Sequence, residues 1–213
     1  MRYRFFKIFS VVLLSIFFSL LENSFAQLAG NYTIPGTPFL TIKKAADSLN
    51  IVGVGIGGVT FNVTSSYSEN ISSAITITAT GTVSNPIIFQ KSGGGANPVV
   101  TRTDAGSLLT SVRGGAGDAV IRFEGTDHIT FNGINLSATD QGIEYGYLTH
   151  KPNGTNGCQN VTITNSTITL IKGISPYISG IYIGNGTNSV SSSTGVTVTS
   201  GGGVNSNIIL TAN

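Results

Sequence analysis

The residues best placed to do chemistry fall in one short stretch: Arg122, Glu124, Asp127 and His128. Two carboxyl groups across a glycosidic bond could act as acid and base, with the guanidinium neutralising a substrate carboxylate. The same residues also read as scaffold. Asp127 would bond backbone amides at a bend before the apolar run Ile129 to Phe131, and Arg122 would pair with Glu124 on the solvent face of a strand. The scaffold reading is the simpler one, so no catalytic residue is assigned.

A second group, Tyr145, Tyr147, His150 and Lys151, surrounds the stretch 139–159 together with Asp140 and Glu144. Loops that project from a rigid scaffold carry binding residues, and tyrosine rings stack on sugars through their apolar faces. These four are the candidate ligand-binding residues. Ile143, Tyr145 and Tyr147 also alternate, however, as residues packed on one face of a strand would.

Other chemistries find little support. His128, His150 and Cys158 match no zinc spacing, so no metal centre is expected. Calcium enters only with an enzymatic reading, because carboxylates are scarce. The glycine runs "GGGAN" (93–97) and "GGAG" (114–117) read as turns, since no Lys-Ser/Thr follows either. A G-x-S-x-G nucleophile motif is absent.

The elements that position these residues begin after a targeting signal. Arg2, Arg4 and Lys7 precede an apolar run from Ile8 to Leu21, and Ser24-Phe25-Ala26 ends it with small residues at the recognition positions. Residues 1–26 are therefore expected to be a signal peptide, and the run is too short to span a bilayer. Export to the cell exterior or surface follows. Removing Arg2, Arg4, Lys7 and Glu22 from 11 basic and 9 acidic residues leaves eight of each. A neutral mature chain offers no electrostatic footprint for nucleic acid. Cys158 is the only cysteine, which rules out an internal disulfide and suits a small buried hydrophobe.

One helix is expected over 38–50, capped by Thr37 with Pro38 at its first position and Ile42, Ala45, Ala46 and Leu49 on one face. It belongs to an N-terminal cap, 27–58. From residue 59 to 213 the chain reads as short strands: 59–63, 75–78, 87–89, 120–123, 129–131, 161–163, 181–183, 196–198 and 207–210, with a further one at 143–148.

Internal repetition orders these strands. "HITFNGINLSA" (128–138) superposes on "NVTITNSTITL" (160–170), with Ile129 on Val161, Phe131 on Ile163, Gly133 on Asn165 and Leu136 on Ile168. A third copy starts at Asn207, where Ile208, Leu210 and Ala212 take the places of Val161, Ile163 and Asn165. Gly and Asn at the shared corner tolerate a left-handed backbone, as one coil of a parallel β-helix requires. Val161, Ile163, Ile168 and Leu170 should point inward, and Thr162, Thr164 and Thr169 outward. An antiparallel sandwich is the alternative, favoured by scattered Asn-Gly pairs.

With the segments "AGNYTI", "TPFLTIKKAADSLN", "GVTFNV", "GTVSNPIIFQKSGG", "IRFEGTDHITFNGINLSA", "IEYGYL" and "NVTITNSTITL", the chain resembles right-handed parallel β-helix proteins of the pectin-lyase-like superfamily. The likeness is to the large exported bacterial surface proteins of the type IX secretion kind. It implies an all-β solenoid with a short N-terminal capping helix, continuing past Asn213. It also implies a non-enzymatic surface module for adhesion or binding of polysaccharide or cell-surface glycan. The alternative is a carbohydrate-active enzyme, a polysaccharide lyase or glycoside hydrolase, with catalytic residues partly in other coils.

Overall fold

β-branched and aromatic residues alternating with Thr and Asn fit a pleated surface with one face buried. In the computed structural model, which describes residues 26–106, 118–173, 177–187 and 195–213, they form a mostly β fold. Its strands are β1 (Leu28–Ile34), β2 (Val54–Thr64), β3 (Ser68–Ile71), β4 (Ile75–Ile77), β5 (Ile87–Ser92), β6 (Val99–Arg102) and β7 (Ala119–Glu124). They continue with β8 (Asp127–Asn132), β9 (Asn135–Ala138), β10 (Tyr145–His150), β11 (Gln159–Thr164), β12 (Ile168–Thr169), β13 (Ser179–Ile183) and β14 (Ile209–Thr211). One α-helix, α1 (Ile42–Val52), and a 3-10 turn, Gly201–Gly203, complete the described elements. The signal segment 1–25 and the "GGAG" turn lie outside the described residues.

The strands form three sheets, in which every pairing between named strands is parallel. The first sheet runs β1-β2-β5-β8-β11-β14, the second β12-β9-β6-β3 and the third β13-β10-β7-β4. From β2 onward the chain visits the first, second and third sheets in turn. The antiparallel sandwich is thereby excluded.

The register confirms the internal repeat. Val161 pairs with Ile129, Ile163 with Phe131 and Ile168 with Leu136, and the third copy lies beside the second with Leu210 opposite Ile163. His128, Asn160 and Asn207 enter these strands at φ of 50°, 55° and 51°, and Gly133, Asn165 and Ala212 leave them at 70°, 55° and 53°. These three strands are therefore entered and left through the same left-handed conformation, where Asn and Gly are least strained.

Inside, side chains stack in columns at the strand spacing of about 4.8 Å. Tyr32, Phe61, Phe89 and Phe131 form one, with successive ring centroids 5.7, 4.5 and 4.8 Å apart and planes within 24°. Val161 and Ile163 are buried, Ile168 and Leu170 pack against the core, and Thr162, Thr164 and Thr169 take the more open positions. Phe39 stands edge-on to Tyr32 and Phe61 at the N-terminal end.

The helix differs from the expected 38–50. It starts at Ile42, is capped by Thr41 rather than Thr37, and ends at Val52 before Gly53. Local and distant acceptors set the start. Thr41 Oγ1 accepts from the Lys44 amide at 3.0 Å, and Glu69 on β3 accepts the Ile42 and Lys43 amides at 2.6 and 3.0 Å. Glu69 occupies an inward column with Val100, Leu136 and Ile168, so its carboxylate meets the helix terminus from within. Ile42, Ala45, Ala46 and Leu49 are buried as expected.

Burial pushes the Glu69 carboxyl above its ordinary value, against the two amides. A raised folded-state value favours folding most in acid, and the contribution declines as pH rises from about 4 through that value. Glu69→Ala should abolish this slope and, by leaving the Ile42 and Lys43 amides without their acceptor, cost about 1–2 kcal/mol at neutral pH, the loss typical of removing a helix N-terminal acceptor. Chemical denaturation of both proteins across that range measures it; equal stability at neutral pH would refute the cap.

Two other strand expectations are corrected. Residues 196–198 form no strand, because the Val196 and Thr199 amides bond to the Asn185 and Gly154 carbonyls of neighbouring loops. The strand expected at 143–148 runs from Tyr145 to His150, which takes His150 out of the loop.

Candidate functional site

Arg122, Glu124, Asp127 and His128 do not share one site. β7 carries Arg122 and Glu124 on the third sheet, and Gly125 and Thr126 then turn the chain into β8 on the first, which begins with Asp127 and His128. Asp127 Oδ1 accepts the Gln159 amide of the next strand at 2.7 Å. Burial pushes its carboxyl up, partly offset by that amide. His128 Nε2 lies 3.2 Å from Asn160 Nδ2, and Asn207 Nδ2 donates to Asn160 Oδ1 at 3.0 Å. Asp127 and His128 thus tie successive strands together.

The third sheet makes a different grouping. Its register sets His150 beside Glu124 and Leu148 beside Arg122, with Thr76 on the other side of Arg122. Arg122 Nη2 donates to Thr76 Oγ1 at 2.9 Å, and its Nε lies 4.0 Å from Glu124 Oε2. Arg122 is buried rather than on a solvent face, because β4 and β10 flank it. Desolvation draws the guanidinium down from its usual value while Glu124 opposes the shift. A carboxylate, an imidazole and a guanidinium therefore share two adjacent strands, with Glu124 the most accessible.

The remaining candidates are buried. Tyr147 lies in the main core, 5.9 Å from the Phe123 ring, and its hydroxyl donates to Ile134 O at 3.4 Å. Tyr145 belongs to a smaller cluster with Ala119 and Leu148, stacked 5.2 Å from Tyr182. Lys151 is buried with its Nζ donating to Gly203 O, and desolvation lowers its proton affinity. Cys158 is fully buried near the Phe123 and His150 carbonyls, its thiol pushed up to about 11 by burial.

Among the described residues no group of three or more His, Cys, Asp or Glu is placed to hold a metal ion. A depression of about 350 Å³ beside the start of α1 is lined by Thr41, Lys43, Asp47, Glu69, Asn70 and Ser72 among others. Lys43 is paired there with Asp47 at 3.0 Å, and Glu69 is engaged by the helix. No described helix is long and apolar enough to cross a membrane.

The outer face of the first sheet is the most regular surface. One file runs through Thr60, Ile88, Thr130, Thr162 and Ile209, and a parallel file through Asn62, Gln90, Asn132, Thr164 and Thr211. Gln90 Nε2 donates to Asn62 Oδ1 at 2.9 Å, and Thr211 Oγ1 to Thr164 Oγ1 at 2.9 Å. No charge interrupts either file. The files lie about 7 Å apart along the strands, and their members about 4.8 Å apart across them. Of these members the sequence marks only Thr162 and Thr164 as outward, because the Asn and Gln positions come into line only through the strand pairing.

No family model, curated protein or solved structure matches the chain.

Proposed function

We propose that the chain is a non-enzymatic extracellular or cell-surface module, its three sheets winding as a right-handed parallel β-helix, and that the outer face of the first sheet binds a neutral glycan. The cyclic visiting of three parallel sheets supports the winding. The signal-like segment and the resemblance to exported pectin-lyase-like surface proteins support the location. The observation that carries the binding is the pair of uncharged files, one of Thr with Ile88 and Ile209 and one of Asn, Gln and Thr. Such a face offers closely spaced donors and acceptors to a polyhydroxylated chain, and no fixed charge needs desolvation on contact.

Retention on insoluble neutral polysaccharides, compared with uronate polymers, tests this reading. The protein should be retained on a neutral polymer, and Thr130→Glu and Thr162→Glu, made singly because the two positions are register partners, should each weaken binding at least about tenfold while leaving thermal unfolding nearly unchanged. Failure to bind any neutral polymer, or binding indifferent to the two charges, would overturn it.

A carbohydrate-active enzyme is the second reading, favoured by the juxtaposition of Glu124, His150 and Arg122 on adjacent strands. It requires cleavage of a polysaccharide that Glu124→Gln abolishes.

A further inference from the structure

An asparagine followed by glycine is chemically exposed, because a glycine carries no side chain to keep its backbone nitrogen from the asparagine Cγ. Four such pairs occur, beginning at Asn132, Asn153, Asn156 and Asn185. As sequence they are alike; the fold makes them different. Cyclisation needs a glycine amide free to attack, a side-chain carbonyl polarised toward an oxyanion and an amide nitrogen free to leave.

Three of the pairs are held back. The Gly133 amide donates to Thr164 O at 2.9 Å and the Gly157 amide to Gly202 O at 2.8 Å, so both attacking nitrogens are engaged. Asn156 also turns its amide nitrogen toward the Gly125 and Gly157 carbonyls, 3.2 and 3.3 Å away. At Asn185 the nitrogen that would leave donates to Val196 O at 2.7 Å.

Asn153 meets all three conditions. It lies exposed between Pro152 and the turn residues Gly154 and Thr155. The Thr155 amide and hydroxyl both donate to its Oδ1, at 2.9 and 2.7 Å. These are two donors aimed at the atom where negative charge develops on attack. Among the described residues, neither the Gly154 amide nor Asn153 Nδ2 has a hydrogen-bond partner.

We propose that Asn153 is a site of spontaneous modification, converting through a cyclic imide to aspartate and isoaspartate with water as the only co-reactant. The Gly154 nitrogen forms a bond to Asn153 Cγ, the Cγ–Nδ2 bond breaks, and Nδ2 leaves as ammonia with the proton given up by Gly154. Water then opens the imide at either carbonyl, and no electrons are gained or lost. The isoaspartyl product lengthens the main chain just ahead of Gly154, whose carbonyl accepts the Thr199 amide at 2.8 Å. Modification therefore loosens the hold of this loop on the segment leading into the Gly201–Gly203 turn. This inference stands independently of glycan binding.

Peptide mapping by mass spectrometry of the full chain, sampled during incubation at mildly alkaline pH in heavy-oxygen water, tests it. Asn153 should convert at least about tenfold faster than Asn132 and Asn156, whose glycine amides must first leave their carbonyls. Both isomeric products should carry heavy oxygen, and amide exchange at Thr199 should quicken in the modified protein. Thr155→Val, at an exposed position, should slow the conversion about threefold or more by removing one of the two donors. In urea the four pairs should convert at rates within a factor of about three of one another, since the fold no longer separates them. The same ranking in urea as in the folded chain would assign the effect to local sequence and overturn the proposal. So would a folded chain in which Asn132 or Asn156 keeps pace with Asn153, or a rate indifferent to Thr155→Val.

Discussion

Replacing Phe89 by Ala is expected to cost about 3–5 kcal/mol, the range for truncating a fully buried aromatic side chain, and to lower the melting temperature by roughly 6–20 °C. Phe89 is the middle of a stack, with rings 4.5 Å away on one side and 4.8 Å on the other. Truncation removes two ring contacts and opens a cavity between Phe61 and Phe131 that neither can fill, because each is fixed by its own strand. Ile88→Ala is the matched control, since Ile88 neighbours Phe89 in sequence but faces outward and is half-buried. Equal losses for the two substitutions would contradict the stacked column.

The second large effect concerns a buried cation. Arg102 occupies an inward position on β6, between Ile71 and Ala138 in the register. Its Nε and Nη2 donate to the two oxygens of Asp104, both at 2.7 Å, and its Nη1 donates to the Ala119 carbonyl at 2.8 Å. Arg102→Met keeps the apolar stem but strands the carbonyl and the carboxylate. The expected cost is about 2–4 kcal/mol, below that of breaking a fully buried pair, because Asp104 still reaches solvent.

The pH dependence follows from the same contact. Arg102 holds the Asp104 carboxyl below its ordinary value. Its contribution is therefore present above about pH 4 and lost as pH falls through the depressed folded-state value. The Met variant lacks the contribution at every pH, so its stability should fall less steeply in acid. Urea unfolding of both proteins from neutral to acid conditions measures this; parallel curves would refute the coupling.

The parts of the fold legible in the sequence were those where one strand repeats another. Ile129, Phe131 and Leu136 align with Val161, Ile163 and Ile168 in the sequence, and the backbone pairs them so. Asn207 to Ala212 was readable for the same reason, since its αL corners carry the same demand. The helix start was misplaced because Pro38 satisfies the local rule for a first turn, whereas the decisive acceptor, Glu69, is 27 residues downstream. Arg102 went unread because an arginine that alternates with Val100 looks like any inward position filled by the wrong residue type. Its partners, Asp104 and Ala119, only meet it through the turn of the chain.

The candidate site was less legible still. Arg122, Glu124, Asp127 and His128 are neighbours in sequence, but two residues at a corner send them to different sheets. His150 reaches Glu124 only through the pairing of β7 with β10. Alternation correctly suggested that Tyr147 is packed, and the burial of His150 follows from a strand that begins and ends two residues later than the pattern showed, with Lys151 buried directly after it.

The repeated corner conformations have an evolutionary consequence. β8 and β11 are aligned across 32 residues, and β11 and β14 across 47, with the same corner residues meeting each time. Fifteen extra residues between paired strands leave the register untouched, and the added loop-closure entropy is only about 0.3 kcal/mol. Length variation and strand pairing are therefore uncoupled. A lineage carrying this framework can lengthen, shorten or exchange the intervening segments, and so vary what it displays, while the rungs beneath keep the same neighbours.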